Sequence, residues 1–149
     1  MDVDVETSTE INRQRDVVAA YAADPVNAPV WYANIKSAEM RTAPPFGTGS
    51  RVAFSARFLG RRLEYVYEVV ELIPGERLIM RTADGPFAME TTYAWQDAGA
   101  GRTRMTLRNR GRPSGFASVL APAMEGAMRR ANRKDLARLR AILEASMSS

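Results

Sequence analysis

Tyrosine and asparagine side chains on alternating positions are the residues of this sequence best suited to contact a small molecule. Tyr65, Tyr67 and Tyr93 alternate with other residues along two extended segments, and Asn109 follows the same alternation on a third. Hydroxyl and amide groups on an otherwise apolar wall orient a ligand through hydrogen bonds. These four residues are therefore the predicted polar contacts of a binding site.

Methionine and aromatic residues dominate the same alternating faces. Five of the eight methionines fall there, and their flexible thioethers suit an apolar wall that adapts to varied ligands. A solid core would use the same residue types, so the pattern by itself fits a packed interior as well as a cavity. The predicted inward-facing set is Phe54, Phe58, Tyr65, Tyr67, Met80, Met89, Tyr93, Trp95, Met105, Leu107, Met124 and Met128.

The sequence contains neither histidine nor cysteine, which restricts the chemistry open to it. Triads built on histidine, the usual zinc sites, disulfides and thiol redox chemistry are excluded, and no metal or other cofactor is predicted. Catalysis would depend on tyrosine, carboxylates, arginine and water, and tyrosine with a pKa near 10 is a poor base. Glu64, Glu68 and Glu90 alternate with the inward-facing residues, so they are predicted to point outward. No catalytic residue is assigned.

Length and composition predict a single domain over residues 1–149. Apolar residues make up 46% of the chain and charged residues 26%, as in ordinary globular proteins. The acidic start lacks the features of a signal peptide, and no apolar run is long enough to cross a bilayer. A cytoplasmic location is the default expectation.

Period-two alternation predicts most of the elements that position these residues. The first strand carries Val3, Val5 and Ile11 on one face. Asn12 is predicted to cap a short helix that ends before Pro25, and a second short helix is predicted from Val26 to about Asn34. Five further strands then follow in a meander through residues 52–58, 63–69, 78–82, 87–95 and 105–109.

The last third of the chain changes to helical periodicity. Apolar residues recur at steps of three and four from Phe116 to Leu143. Pro122 is predicted either to kink this helix or to lie in its first turn. A long amphipathic helix must bury its apolar face, and the inner face of the sheet is the surface available. The predicted fold class is therefore α+β, with a sheet wrapped around one helix.

Short motifs along nearly the whole chain resemble the START-like superfamily, also called SRPBCC or birch-pollen-allergen-like. Within it, the sequence is most similar to the bacterial polyketide cyclase/dehydrase and lipid-transport branch. Most of the motifs are turns, so their order and spacing carry the resemblance. They are Ile11-Asn12, Ala23-Asp24-Pro25 followed by Trp31, Phe46-Gly47-Thr48-Gly49-Ser50-Arg51, Arg62-Leu63-Glu64-Tyr65, Pro74-Gly75-Glu76-Arg77-Leu78, Asp84-Gly85-Pro86-Phe87 and Gly101-Arg102-Thr103.

The resemblance implies a helix-grip fold, in which a curved seven-stranded antiparallel sheet holds the C-terminal helix around an apolar cavity. It also implies binding of a lipid, polyketide or other hydrophobic or amphipathic molecule, with catalysis in some members only. A polyketide cyclase or dehydratase acting in the same cavity is the alternative, so whether the chain is an enzyme stays open. The predicted ligand-binding residues are Phe54, Phe58, Tyr65, Tyr67, Met80, Met89, Tyr93, Asn109, Met124 and Met128.

Charge is unevenly distributed along the chain. Residues 1–50, 51–100 and 101–149 carry net charges of −3, −1 and +8, which give +4 overall. The last strand places Arg102, Arg104, Arg108, Arg110 and Arg112 on its outer face, where the resemblance puts them beside the acidic residues of the first strand.

The remaining basic residues lie on one face of the C-terminal helix. This face is either simply solvated or contacts anionic lipid headgroups or an acidic partner, which makes an interaction module the third hypothesis. It lacks exposed aromatic residues, so nucleic-acid binding is not predicted. A homodimer is left open. The residues of this face are Arg129, Arg130, Arg133, Lys134, Arg138 and Arg140.

Overall fold

Seven strands and three α-helices form the part of the chain that the structure, a computed structural model, describes: residues 3–58, 60–85, 88–112 and 121–145. The strands are β1 Val3–Ile11, β2 Ile35–Met40, β3 Arg51–Phe58, β4 Arg61–Ile73, β5 Arg77–Asp84, β6 Ala88–Asp97 and β7 Thr103–Arg112. The helices are α1 Arg15–Ala23, α2 Ala28–Trp31 and α3 Ala121–Ala145, with a 3₁₀ turn at Pro25–Asn27.

All seven strands belong to one antiparallel sheet with the order β1-β7-β6-β5-β4-β3-β2. The chain from β2 to β7 is a continuous meander, and β1 closes the far edge by pairing with β7. The sheet curves around α3, which confirms the predicted helix-grip fold of class α+β. The residue pattern alone missed β2, because Ile35 is its one buried position.

Helix α3 buries one apolar stripe against the sheet and α2. Leu136, Leu139 and Leu143 are almost completely buried in the main core, at the three- and four-residue steps predicted from the sequence. Pro122 is the second residue of α3 as described. The predicted positions Phe116 and the neighbouring residues up to 120 lie outside the described residues. Among the helices described, none is long and apolar enough to cross a membrane.

The short helices differ in two details from the sequence prediction. Asn12 does not cap α1: the N-cap is Gln14, and the backbone N–H of Asn12 donates to the carboxylate of Glu144 at 2.8 Å. The predicted second helix is a 3₁₀ turn followed by the single α-helical turn α2, and it ends at Trp31. The side chain of Asp24 accepts from the N–H of Val26 and so caps this segment.

Two arginines of β7, Arg104 and Arg108, pair with acidic residues of β1 as predicted. Arg102 lies before β7, where it donates to the carbonyl of Ala98, and Arg110 pairs with β6 rather than β1. The register sets Glu6 opposite Arg108 and Glu10 opposite Arg104. The shortest contact is diagonal, because Arg108 donates two hydrogen bonds to Asp4 at 2.7 and 2.9 Å. This interaction holds the pKa of Asp4 below its ordinary value. Other pairs in the same row join Arg104 to Glu10 and Arg110 to Glu90.

Candidate functional site

The concave face of the sheet carries the predicted inward-facing residues. Of these, Phe54, Tyr67, Met80, Tyr93, Trp95, Met105 and Leu107 are buried in the main core. A second group remains partly exposed although it lies at inward positions: Tyr65, Met89 and Asn109 on the sheet, with Met124 and Met128 on α3. The side chain of Phe58 lies outside the part of the chain that the structure describes.

Three aromatic residues on β3 and β4 form one end of this face. The ring centroids of Phe54 and Tyr65 are 5.4 Å apart in a stacked arrangement. Tyr67 meets the edge of Phe54 at 5.8 Å and lies 5.0 Å from Tyr65. Such offset and edge contacts are the preferred geometries of aromatic pairs, so the cluster forms a defined apolar wall.

A chain of hydrogen bonds crosses the same face. The Tyr67 hydroxyl lies 2.9 Å from Thr91 Oγ1, and the Thr91 hydroxyl donates to Asn109 Oδ1 at 2.8 Å. Since the single proton of Thr91 is used on Asn109, Tyr67 must be the donor to Thr91. Within the described residues, the Asn109 amide nitrogen has no partner. The chain therefore ends in an N–H₂ group that can donate to a bound molecule.

A second polar group lies where α2, β6 and α3 meet. The hydroxyls of Tyr32 and Tyr93 are 2.7 Å apart and hydrogen-bonded. The ring of Trp31 packs on Tyr32 with centroids 4.0 Å apart and lies 5.8 Å from Tyr93. Trp31 is fully buried, so its ring packs this junction.

Asp135 on α3 is a buried carboxylate that the sequence analysis did not place in the interior. Its side chain accepts a hydrogen bond from the backbone N–H of Ala33 at 3.1 Å, and the residue is 3% exposed. Burial raises the pKa of this carboxyl from 3.8 to about 6, against the lowering effects of the Ala33 hydrogen bond and of Arg138. Asp135 therefore adds a buried carboxyl group to the candidate site.

The tyrosine hydroxyls of the site are neutral at physiological pH. Burial raises the pKa of Tyr67 to about 12 and those of Tyr32, Tyr65 and Tyr93 well above their ordinary value. They can donate and accept hydrogen bonds but cannot act as bases. Asp135 is the group of this region whose pKa suits proton transfer near neutral pH.

Several buried donors lack acceptors in the described part of the chain. They are Trp31 Nε1, Trp95 Nε1 and Asn132 Nδ2. Asn132 lies one turn before Asp135 on the same face of α3, and Trp31 lies in α2, which packs beside α3. A buried donor without an acceptor costs about 1–3 kcal/mol, so an acceptor at this junction, from an internal water or a bound molecule, is favourable.

The carboxylates of β4 and β6 point outward, as predicted. Glu64 pairs with Arg62 at 2.9 Å, Glu68 with Arg51 at 3.5 Å, and Glu90 with Arg81 at 2.6 Å. Residues of the outer face of β2, β3 and β4 also line most of a groove of about 480 Å³. Charged side chains such as Arg41 and Glu64 form its walls, which distinguishes it from the apolar concave face.

Some site residues were missed by sequence reasoning although a signal existed. Asn132 and Asp135 occupy the buried face of α3, and their spacing from Leu136 and Leu139 is the helical one. Thr91 lies between Met89 and Tyr93 on the inward face of β6. No local signal indicates Tyr32, because its role depends on contact with Tyr93 across the fold.

The fold and site together define a helix-grip protein of the ligand-binding type, and the sequence comparison gives its family. The chain matches the model for polyketide cyclase/dehydrase and lipid-transport proteins over residues 2–144, and it belongs to that family. No curated protein matches the sequence significantly. Of the described residues, no group of three or more carboxylates could hold a metal ion.

Solved structures confirm the fold at low sequence identity. The protein TTHA0849 from Thermus thermophilus is 19% identical, with a TM-score of 0.84 over 98% of this chain and 99% of that one. The Zhui aromatase/cyclase from Streptomyces sp. R1128 is 18% identical, with a TM-score of 0.82 over 100% and 98%. A START superfamily protein from Mycobacterium smegmatis is 15% identical, with a TM-score of 0.70 over 91% and 98%.

Proposed function

We propose that this protein binds a small amphipathic molecule with an aromatic or otherwise apolar body between the sheet and α3. The polar part of the ligand is a hydrogen-bond acceptor, such as a carbonyl or phenolic oxygen. The family and the helix-grip fold support a hydrophobic ligand. The hydrogen-bonded series Tyr67–Thr91–Asn109 ends in an amide donor that is unpaired among the described residues and lies on an apolar face. This donor supports a ligand that carries a hydrogen-bond acceptor.

Partial exposure of inward-facing residues supports a binding site between the sheet and α3. Tyr65, Met89 and Asn109 remain accessible on the concave face, whereas a fully packed core would bury them. The amide N–H₂ of the partly exposed Asn109, unpartnered in the described part of the chain, favours an acceptor rather than a purely hydrocarbon ligand.

Native mass spectrometry of protein purified from its own host tests this function. The expected result is an additional mass of a small aromatic or polyketide-like molecule, lost on unfolding. The same measurement on protein incubated with anthraquinones and fatty acids would distinguish a polar aromatic ligand from a plain lipid. Absence of retained mass and of binding to either class would overturn the proposal.

Tyr67→Phe is expected to weaken the binding of a hydroxylated anthraquinone about fivefold to tenfold. The substitution removes the donor to Thr91, so the Thr91–Asn109 hydrogen bond is less firmly held and the Asn109 amide is oriented less well toward a ligand, a loss of about 1 kcal/mol. Fluorescence titration measures the affinity. Tyr21→Phe is the matched control, because Tyr21 is a partly buried tyrosine of α1 rather than of the sheet. Equal affinities for wild type and Tyr67→Phe would contradict the proposed role.

A cyclase or dehydratase is the second candidate function, and Asp135 is the observation that favours it. Its carboxyl is buried beside the Tyr32–Tyr93 pair, and its pKa of about 6 suits a general acid or base at neutral pH. In such an enzyme the neutral tyrosines would stabilise a developing enolate by hydrogen bonding.

Turnover separates the two candidates. In an enzyme, Tyr65→Phe and Tyr93→Phe would lower the rate of cyclisation of a poly-β-ketone thioester much more than its binding. In a carrier, the same substitutions would change affinity modestly, and no product would form with either wild type or variants. Mass analysis of the reaction mixture detects the loss of water that accompanies each aldol dehydration.

A further inference from the structure

One face of α3 carries basic side chains that the fold leaves unpaired. Arg130, Lys134 and Arg138 follow each other at four-residue steps and are all exposed, so they form a stripe about 12 Å long. Within the described residues none of the three forms a salt bridge, and Arg138 acts on the buried Asp135 carboxyl only at longer range. We call these three residues the basic stripe. Of the other basic residues of α3, Arg129 donates to the backbone of Glu6 and Arg140 to Glu144, and Arg133 is exposed beside the basic stripe.

Several arginines of the sheet, in contrast, form salt bridges with carboxylates. In the C-terminal third, Arg108 pairs with Asp4, Arg104 with Glu10 and Arg110 with Glu90, at distances of 2.7 to 3.9 Å. The excess charge of the C-terminal third is therefore balanced on the sheet and unbalanced on the helix. Unpaired surface charge of one sign attracts a partner of the opposite sign.

Two exposed valines lie in the 3₁₀ turn and in α2, and of these two elements α2 packs beside α3. Val26 in the 3₁₀ turn is 71% exposed and Val30 in α2 is 46% exposed. Helix α2 packs beside α3, and the hydrogen bond from Ala33 to Asp135 joins the end of α2 to the turn of α3 that holds Lys134 and Arg138. Of the described residues, only one other large apolar side chain is similarly exposed, at position 70.

We propose that the basic stripe, with Val26 and Val30, is a docking surface for an anionic lipid bilayer. Lysine and arginine near such a surface attract its acidic headgroups, and exposed apolar side chains enter the headgroup region. The outward side of α3 and the valines of the adjoining segment supply both properties on neighbouring elements. The proposal is independent of the ligand proposed for the concave face.

Co-sedimentation with vesicles tests the docking surface. Wild-type protein is expected to bind vesicles of phosphatidylcholine and phosphatidylserine in equal parts at low salt, and not vesicles of phosphatidylcholine alone. Binding should weaken as salt screens the charges. Replacing the stripe by Arg130→Gln, Lys134→Gln and Arg138→Gln is expected to lower the partition coefficient about 100-fold, since each basic residue contributes about fivefold.

A matched variant removes the same charge elsewhere. Arg41, Arg57 and Arg61 are exposed on or beside β2, β3 and β4, and their replacement by glutamine is expected to change binding less than about threefold. Val26→Ser with Val30→Ser keeps the charge and should weaken binding several-fold. Circular dichroism verifies that each variant folds.

Two outcomes would overturn the proposal. If the wild-type protein does not bind phosphatidylserine vesicles at low salt, the proposed membrane-docking surface does not exist. Binding to an acidic protein would not change that conclusion. Equal losses in the two triple variants would show an effect of net charge rather than of the basic stripe. The salt dependence of the wild type keeps the test informative if a variant fails to fold.

Discussion

Asp135→Asn is expected to raise the free energy of unfolding at neutral pH by about 2–3 kcal/mol. The carboxyl pKa rises from 3.8 to about 6 on folding, so the folded protein binds more protons than the unfolded chain between these values. Stability therefore falls as the pH rises from about 4 to 6, and the loss persists above pH 6. Asparagine carries no charge to desolvate and can still accept from the Ala33 N–H.

Urea unfolding at a series of pH values measures this effect. Wild type and Asp135→Asn should have similar stability near pH 4 and diverge as the pH approaches 7. Glu125→Gln on the same helix is the control, because Glu125 is only half-buried and glutamine keeps the oxygen that accepts from the Asp4 N–H. Parallel pH profiles for wild type and Asp135→Asn would contradict a destabilising buried carboxylate. A gain in stability would also indicate that Asp135 is retained for function rather than for the fold.

Trp31→Ala is expected to lower the free energy of unfolding by about 3–5 kcal/mol. Trp31 is fully buried, and its ring supports Tyr32 and Tyr93 at the junction of α2, β6 and α3. Truncation leaves a cavity that the surrounding elements can fill only in part. The Tyr32–Tyr93 hydrogen bond is also expected to loosen, which would weaken ligand binding at this end of the concave face.

Denaturant unfolding followed by far-UV circular dichroism measures the loss, because replacing a tryptophan alters the fluorescence signal itself. Trp31→Phe is the matched variant: it keeps an aromatic ring on Tyr32 and should lose roughly half as much stability. A loss below about 1 kcal/mol in Trp31→Ala would show that the junction collapses around the gap.

Most of the fold follows from periodicity in the sequence. The strands β1 and β3 to β7 bury one face, so their apolar residues alternate, and α3 buries a stripe with helical spacing. The edge strand β2 lacks this alternation, because Lys36, Ser37 and Glu39 are exposed beside a single buried isoleucine. Asn12 fits the residue preference for a cap, but its N–H is used by Glu144, a contact that only the folded chain creates.

The candidate site was predictable to a smaller extent. Alternation places Tyr67 and Tyr93 on the concave face, where the structure has them. The partner of each hydroxyl is set by tertiary packing: Tyr67 reaches Thr91 on β6, and Tyr93 reaches Tyr32 beyond α2. Asp135 follows Lys134 in a strongly basic helix, so its charge alone suggests a solvated position. Its burial depends on the approach of α2, which no local pattern encodes.

The pairing of β1 with β7 has a consequence for synthesis of the chain. Asp4 and Arg108, which join these strands, are 104 residues apart in sequence. β1 therefore leaves the ribosome long before β7 is synthesised, and until then its backbone groups lack their native partners. Its valines would favour aggregation during that time, whereas Asp4 and Glu6 between them disfavour it. The acidic residues that later bind the arginines of β7 are thus expected to reduce aggregation of β1 before β7 is synthesised.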